Sequence, residues 1–185
     1  MDTSTFSTAV LRRALTLLAL LVFVPDVAGG MPETIQRVKP SIVAVGSYQK
    51  TRSPTFVYRG TGFVVGDGTL VATNAHVLPD SLNAANGETL IIVTFANGGQ
   101  QEPRETKIVA VDKAHDLALL RISGSPLPAL ELKDSNTVRE GQTFAFTGFP
   151  IGNVLGLTPV THRGMISSVT PIALPSATAR QLDQR

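Results

Sequence analysis

A hairpin signature near the middle of the chain restricts the fold most strongly. Two runs rich in β-branched and apolar residues, 61–65 and 70–73, flank the turn Gly66-Asp67-Gly68. Glycine takes positive φ at no steric cost, so this pattern is typical of a β-hairpin. The second run, Leu70 to Thr73, is mostly apolar and is predicted to be a buried strand.

A histidine follows this strand after a short interval. His76 stands just before a break at Leu78-Pro79-Asp80, which places it at the end of the strand. A histidine held at the rim of a rigid sheet is well placed to transfer protons near neutral pH. This position alone does not distinguish a catalytic histidine from an ordinary core or surface one, so the interpretation needs a partner residue.

The composition indicates a folded protein built from short strands. Hydrophobic residues make up 43% and charged residues 16%, which argues against disorder, and the 16 Gly and 12 Pro favour turns between strands. The net charge of +2, without a basic run, predicts no nucleic-acid partner. Because there is no cysteine, disulfides, thiolate metal sites and a cysteine nucleophile are excluded.

The first 29 residues have the layout of a secretory signal. Arg12 and Arg13 precede a largely apolar run, 14–24, and small residues follow it. As a helix this run spans about 16 Å, too short for a bilayer core of about 30 Å. We therefore predict a signal peptide at 1–29, an exported (periplasmic or secreted) protein and no stable membrane span. An uncleaved amino-terminal anchor is the alternative interpretation.

The strand pattern after the signal predicts two unequal barrels. About six strands fit between residues 41 and 122, at turn spacings typical of a small closed barrel. We predict an amino-terminal β-barrel at 30–125, a connector at 126–140 and the start of a second barrel at 141–185. About three strands fit in the last segment, so the second barrel is predicted to be incomplete.

An acidic residue before a predicted strand is a candidate partner for His76. Asp116 immediately precedes the apolar run 117–122. A carboxylate that enters a core is costly to desolvate unless it is hydrogen-bonded, and an imidazole N–H would supply that bond. Such a pair would fix the histidine tautomer and stabilise the imidazolium. Asp112 is the rival acid, ranked second because no long apolar run follows it, and His115 is predicted to point into solvent.

Four pieces of the chain occur in a recognisable order. They are RGTGFVV at 59–65, VATNAHV at 71–77, DLALL at 116–120, and GFPIG at 148–152 with GMIS at 164–167. Together they resemble the trypsin-like serine proteases of the bacterial HtrA type, over most of residues 38–170. The resemblance implies an all-β, chymotrypsin-like double β-barrel, of which the first barrel is complete here and the second is not.

The same resemblance implies a catalytic triad of His, Asp and Ser in that chain order. Residue by residue, His76 matches the general base and Asp116 the residue that orients it. The implied activity is that of a serine endopeptidase acting on polypeptide substrates without a cofactor. No pair of histidines has the spacing of a helical metal site, so no metal is predicted. The oligomeric state does not follow from the sequence.

The third member of the triad is missing from the pattern. The family places its nucleophile in a Gly-x-Ser-Gly-Gly type turn that also forms the oxyanion hole, and the 185 residues contain no such turn. Ser167 and Ser168 are predicted to lie within a strand, and Ser176 to cap a helix. We therefore expect the nucleophile after Arg185 and negligible hydrolysis by these 185 residues as a fragment. The alternative is a non-catalytic trypsin-like barrel that binds a peptide or a partner protein.

Overall fold

A computed structural model describes residues 30–95, 100–150 and 157–170. The predicted signal peptide and the predicted helix cap at Ser176 lie outside these residues. The elements are helix α1 (Met31–Val38) and the strands β1 (Ile42–Tyr48), β2 (Phe56–Val65), β3 (Leu70–Thr73), β4 (Thr89–Phe95), β5 (Gln101–Asp112), β6 (Leu117–Ile122), β7 (Thr143–Gly148) and β8 (Val160–Met165). Four 3-10 helices lie between them, at Lys39–Ser41, Ala75–Val77, Ala84–Asn86 and Ser135–Thr137. The described residues from Ile35 onward belong to one compact unit, and residues 30–34 belong to another.

The first six strands close into a barrel. Their order is β1-β2-β3-β6-β5-β4, and β4 pairs back onto β1, with every pairing antiparallel. The other two described strands, β7 and β8, form a separate antiparallel pair. The prediction of an all-β fold, with one complete barrel followed by an incomplete second sheet, is confirmed. Where the structure describes helices, none is both long and apolar enough to cross a bilayer.

The barrel interior is filled by aliphatic side chains. The buried cluster consists of Val43, Val45, Val64, Val71, Val77, Leu90, Ile92, Leu120 and Ile122. Along β3, Val71 and Thr73 are buried while Leu70 and Ala72 are half-buried. The strand predicted to be buried, β3, therefore has buried and half-buried residues in alternation. The reason is that successive residues of a barrel strand face alternately inward and outward.

Strands β1 and β4 are buried on both faces. Their outward side chains, Ile42, Ala44, Ile91 and Val93, form a second cluster with Phe149 and Leu157. Phe149 is held over the barrel by its main chain as well. Its carbonyl accepts the Tyr58 hydroxyl at 2.8 Å, and its N–H donates to Thr61 Oγ1 at 3.0 Å. Phe149 and Leu157 thus cover the outer faces of β1 and β4.

The β1–β2 pairing contains an irregularity that requires a glycine. The register shifts between Val45 and Gly46, and a Cβ at Gly46 would overlap the Val57 carbonyl and lie 2.6 Å from Phe56 Cε2. Gly46→Ala is therefore expected to lower the free energy of unfolding by about 1–3 kcal/mol, as overpacking does. Urea denaturation measures this. The control is Gly164→Ala in β8, whose Cβ would have only a 3.5 Å contact; an equal loss there would contradict the steric explanation.

A partly buried ion pair ties two loops to β1. Arg52 Nη1 donates to Glu88 Oε1 at 2.7 Å, and Arg52 Nη2 donates to the Ser47 carbonyl at 2.8 Å. Glu88 Oε2 also accepts the Asn83 N–H at 2.9 Å, and the Glu88 side chain is only 12% exposed. The Asn83 N–H, together with the Ser47 and Arg52 side chains, lowers the pKa of Glu88 from 4.5 to about 2.

This lowered pKa makes a pH-dependent contribution to stability. Because folding depresses the pKa, the contribution is complete above pH 4.5 and is lost as the pH falls toward about 2. Glu88→Gln is therefore expected to lower the Tm by several degrees at pH 7, and the difference from the unsubstituted protein should shrink toward zero near pH 2. Thermal melts followed by circular dichroism at both pH values test this. A Tm difference that does not change with pH would contradict it.

Candidate active site

The end of β3 presents His76 at the mouth of the barrel. The strand ends at Thr73, and the short 3-10 helix Ala75–Val77 follows. Val77 is buried in the barrel cluster and anchors this helix, whereas the His76 side chain is 71% exposed. Thr73 pairs with Ala118 near the start of β6. This register brings the residues just before β6 beside His76.

Asp116 holds His76 at two atoms. Its Oδ2 lies 2.6 Å from the ring Nδ1 of His76, and its Oδ1 accepts the backbone N–H of His76 at 2.9 Å. An ionised carboxylate can only accept, so the tautomer that satisfies this contact carries its proton on Nδ1. That tautomer leaves the Nε2 lone pair free to accept a proton. The structure therefore brings together the two residues that the sequence singled out.

The carboxylate of Asp116 is not buried, contrary to the expectation that it enters the core. Its side chain is 40% exposed, because Asp116 adopts φ 54° and turns back over the end of β3 instead of entering the barrel. The His76 N–H, followed by the His76 ring, holds the pKa of Asp116 below its usual 3.8. This carboxylate stays ionised because hydrogen bonds stabilise its charged form.

Asn74 belongs to the same arrangement, and sequence reasoning gave it no role. Its Nδ2 donates to the Asp116 carbonyl at 3.1 Å and to Asp116 Oδ2 at 3.2 Å. The Ala75 N–H donates to that same carbonyl at 3.1 Å. The only signal in the sequence was the polar residue between an apolar strand and His76. The role of Asn74 depends on the pairing of β6 with β3, which brings Asp116 beside Asn74. A local sequence pattern does not reveal this pairing.

The rival acid, Asp112, contacts a different histidine. Its Oδ2 lies 2.7 Å from His115 Nδ1, and its Oδ1 accepts the His115 N–H at 3.1 Å. The His115 side chain is 59% exposed, in keeping with its predicted orientation toward solvent, although it is also bonded to Asp112. The structure therefore pairs Asp116, and not Asp112, with His76.

A cleft of about 480 Å³ adjoins His76. It lies between the barrel and the β7–β8 sheet, and its lining includes Tyr58, Thr61, Asn74, Val77, Phe146, Gly148, Phe149 and His162. His162 stacks on Phe146 with a centroid distance of 5.3 Å. Across the described ranges, no group of three or more His, Asp or Glu side chains is arranged to hold a metal ion. A volume of this size is in the range of ligand-binding pockets.

The described serines do not complete the arrangement. The prediction that Ser167 and Ser168 lie within a strand is wrong, because β8 ends at Met165. Its partner β7 begins only at Thr143, after a turn at Gly141 with φ 82°, so no strand among the described residues continues beside residues 167–168. Within residues 30–95, 100–150 and 157–170, no serine hydroxyl makes a hydrogen bond to His76.

Comparisons with known proteins agree with this geometry. Residues 60–184 match the family described as "Trypsin-like peptidase domain". Serine protease HTRA2, mitochondrial, of Drosophila willistoni is 31% identical over 146 residues, which are 79% of this chain and 31% of that protein. The probable periplasmic serine endoprotease DegP-like of Rickettsia prowazekii (strain Madrid E) is 35% identical over 118 residues, which are 63% of this chain and 20% of that protein.

A solved structure supports the same relationship. The crystal structure of Deg5 superimposes with a TM-score of 0.57 at 25% identity, covering 80% of this chain and 65% of that one. The chain spans about a third or less of the length of the curated relatives named above. The resemblance and the chymotrypsin-like fold that the motifs predicted are both confirmed. On this evidence the chain belongs to the trypsin-like peptidase family and is of the HtrA type.

Proposed function

We propose that this protein is a serine endopeptidase in which His76 is the general base and Asp116 is the residue that orients it. The observation that carries the proposal is the 2.6 Å contact between His76 Nδ1 and Asp116 Oδ2, beside a cleft and with Nε2 free. Membership of a peptidase family supports the same reaction. The proposed substrates are polypeptides, as the names of the protease relatives suggest.

In the proposed mechanism His76 first takes and then gives a proton in each half of the reaction. Its Nε2 takes the proton of a serine hydroxyl as that oxygen attacks the scissile carbonyl, and gives it to the leaving amine as the peptide C–N bond breaks. Water then attacks the resulting serine ester, and His76 passes the proton of this water to the departing serine oxygen. Asp116 remains ionised, keeps the ring in the required tautomer and stabilises the imidazolium between the two steps. The described serines make no bond to His76, so we assign the nucleophile and the oxyanion donors to a part of the protein outside the described residues.

A fluorophosphonate probe tests the proposal, because it labels only a serine that a working triad activates. We expect the protein encoded by the complete gene to be labelled, and His76→Ala to abolish the labelling. The 185-residue chain alone should remain unlabelled. If the complete gene product contains the glycine-flanked serine, folds and is still not labelled, the endopeptidase proposal fails. Peptide binding without labelling would support the non-catalytic barrel.

We also propose that the protein is exported. The charged and apolar pattern of residues 1–29 supports export, and one relative bears the name of a periplasmic endoprotease. Other relatives are named as mitochondrial, so the relatives alone do not decide the compartment. Amino-terminal sequencing of the mature protein from its native cells tests the proposal. A sequence that begins near residue 30 is expected, and an intact terminus in the cytosolic fraction would contradict export.

A further inference from the structure

The turn that carries Asp116 is itself held by a second carboxylate. Strands β5 and β6 are joined by residues 113–116, and Asp112 and Leu117 are the last paired residues on either side. Asp112 accepts both the backbone N–H and the ring Nδ1 of His115, at 3.1 and 2.7 Å. Asp116 holds His76 through the same two kinds of atom. Two successive carboxylates therefore make the same two-atom contact, each with a histidine.

The turn 113–116 needs the contact between Asp112 and His115 because the hydrogen bond that closes the turn is weak. The Asp116 N–H lies 3.4 Å from the Lys113 carbonyl, which is long for a hydrogen bond. Asp116 also has φ 54°, in the left-handed region that aspartate adopts more readily than most residues but that still costs free energy. Such a conformation persists only where surrounding contacts over-determine it. On the barrel side those contacts come from Asn74 and Ala75, and on the turn side from Asp112.

We propose that Asp112 and His115 are a positioning pair, which fixes the turn 113–116 and thereby places the Asp116 carboxylate against His76. The consequence for catalysis rests on the proposed endopeptidase function, whereas the consequence for geometry does not. Bonds from the His115 ring, and then from its N–H, lower the pKa of Asp112, so this carboxylate is ionised and can accept both bonds near neutral pH. Neither residue lines the cleft, so they act through Asp116 and not on the substrate.

A direct test follows the titration of the Asp116 carboxyl by ¹³C NMR in the 185-residue chain and in the complete gene product. Asp112→Ala removes both acceptors from His115, and we expect the Asp116 titration midpoint to rise toward 3.8. Asp112→Asn keeps an oxygen for the His115 N–H and should restore the midpoint in part.

The matched control for this test is Asp67→Ala. Asp67 is also a turn aspartate, accepting the N–H and hydroxyl of Thr69 at 2.9 and 2.6 Å, but it lies at the other end of β3. The variant removes the same charge without touching the turn 113–116. It should leave the Asp116 midpoint unchanged. Loss of a negative charge by itself would lower the Asp116 midpoint, so an unchanged or lowered midpoint in Asp112→Ala, or an equal rise in Asp67→Ala, would overturn the proposal.

The kinetic test uses the active protein. A misplaced general-base pair slows the chemical step without weakening substrate binding, so Asp112→Ala is expected to lower kcat about tenfold with KM changed less than twofold. Asp67→Ala should leave both within twofold. A variant that has a lower Tm, but wild-type kcat and an unchanged Asp116 midpoint, would overturn the positioning role. Failure of the unsubstituted protein to react with the fluorophosphonate would refute the enzymatic proposal alone, because the NMR result does not depend on activity.

Discussion

Replacing His76 with alanine in the active protein is expected to lower kcat by about 10⁶-fold, the loss seen when the histidine of a serine-protease triad is removed. The reason is that His76 is the one described histidine that both lines the cleft and has its ring bonded to Asp116. The ring of His115 is bonded to Asp112 and does not line the cleft, and His162, which does line it, is stacked on Phe146. A continuous assay with a peptide substrate, sensitive to residual activity, measures the effect.

The fold should survive this substitution. The His76 side chain is 71% exposed, and the backbone N–H that Asp116 accepts is kept in the variant. We therefore expect the Tm of His76→Ala to stay close to that of the unsubstituted protein, which makes the Tm the internal control. The expected loss leaves about a millionth of the activity. A folded variant that retained more than about a hundredth of the activity would therefore show that another group is the base.

Asp116→Asn should be the second most damaging change, with a loss of about 10⁴ in kcat. Asparagine keeps an oxygen that can accept the His76 N–H, so the position of the ring is preserved. Its NH₂ group, however, now faces the ring Nδ1 and favours the tautomer that carries its proton on Nε2. That tautomer has no lone pair with which to take a proton from serine. The same peptide assay, repeated on this variant, tests the expectation.

Asp67→Asn is the matched control for Asp116→Asn. It makes the same chemical change in a turn at the opposite end of β3, and its activity should stay within twofold of the unsubstituted protein. The NMR signal of the His76 ring should report the changed tautomer in Asp116→Asn and not in Asp67→Asn. A loss of less than tenfold for Asp116→Asn would show that the 2.6 Å contact does not orient a general base.

Local pattern was sufficient for the strands on either side of the site, β3 and β6, and for the two residues of the site. The bounds of β3 and β6, Leu70–Thr73 and Leu117–Ile122, agree with the predicted runs, because apolar and β-branched residues between turn residues favour strands without help from distant contacts. His76 and Asp116 were recognisable because each lies at the end of such a run. Motif order then pointed to one family.

Local sequence pattern did not predict the contacts between distant parts of the chain. The burial of β1 on both faces depends on Phe149, about a hundred residues later, which closes over the barrel through Tyr58 and Thr61. The role of Asn74 depends on the register between β3 and β6. The choice between Asp112 and Asp116 depended on which carboxylate the β5–β6 turn aims at His76.

The amino-acid sequence by itself determined strands β3 and β6, the position of His76 after the end of β3, and the family, since these follow from side-chain type and short-range spacing. Only the tertiary structure decided how the acid is held. The apolar run after Asp116 suggested that its carboxylate enters the core. The tertiary structure instead places Asp116 in a left-handed conformation at the mouth of the barrel, where hydrogen bonds keep the carboxylate ionised. The physical reason is that a backbone dihedral and a cross-strand register are set by the closure of the whole barrel, and no local stretch of sequence encodes them.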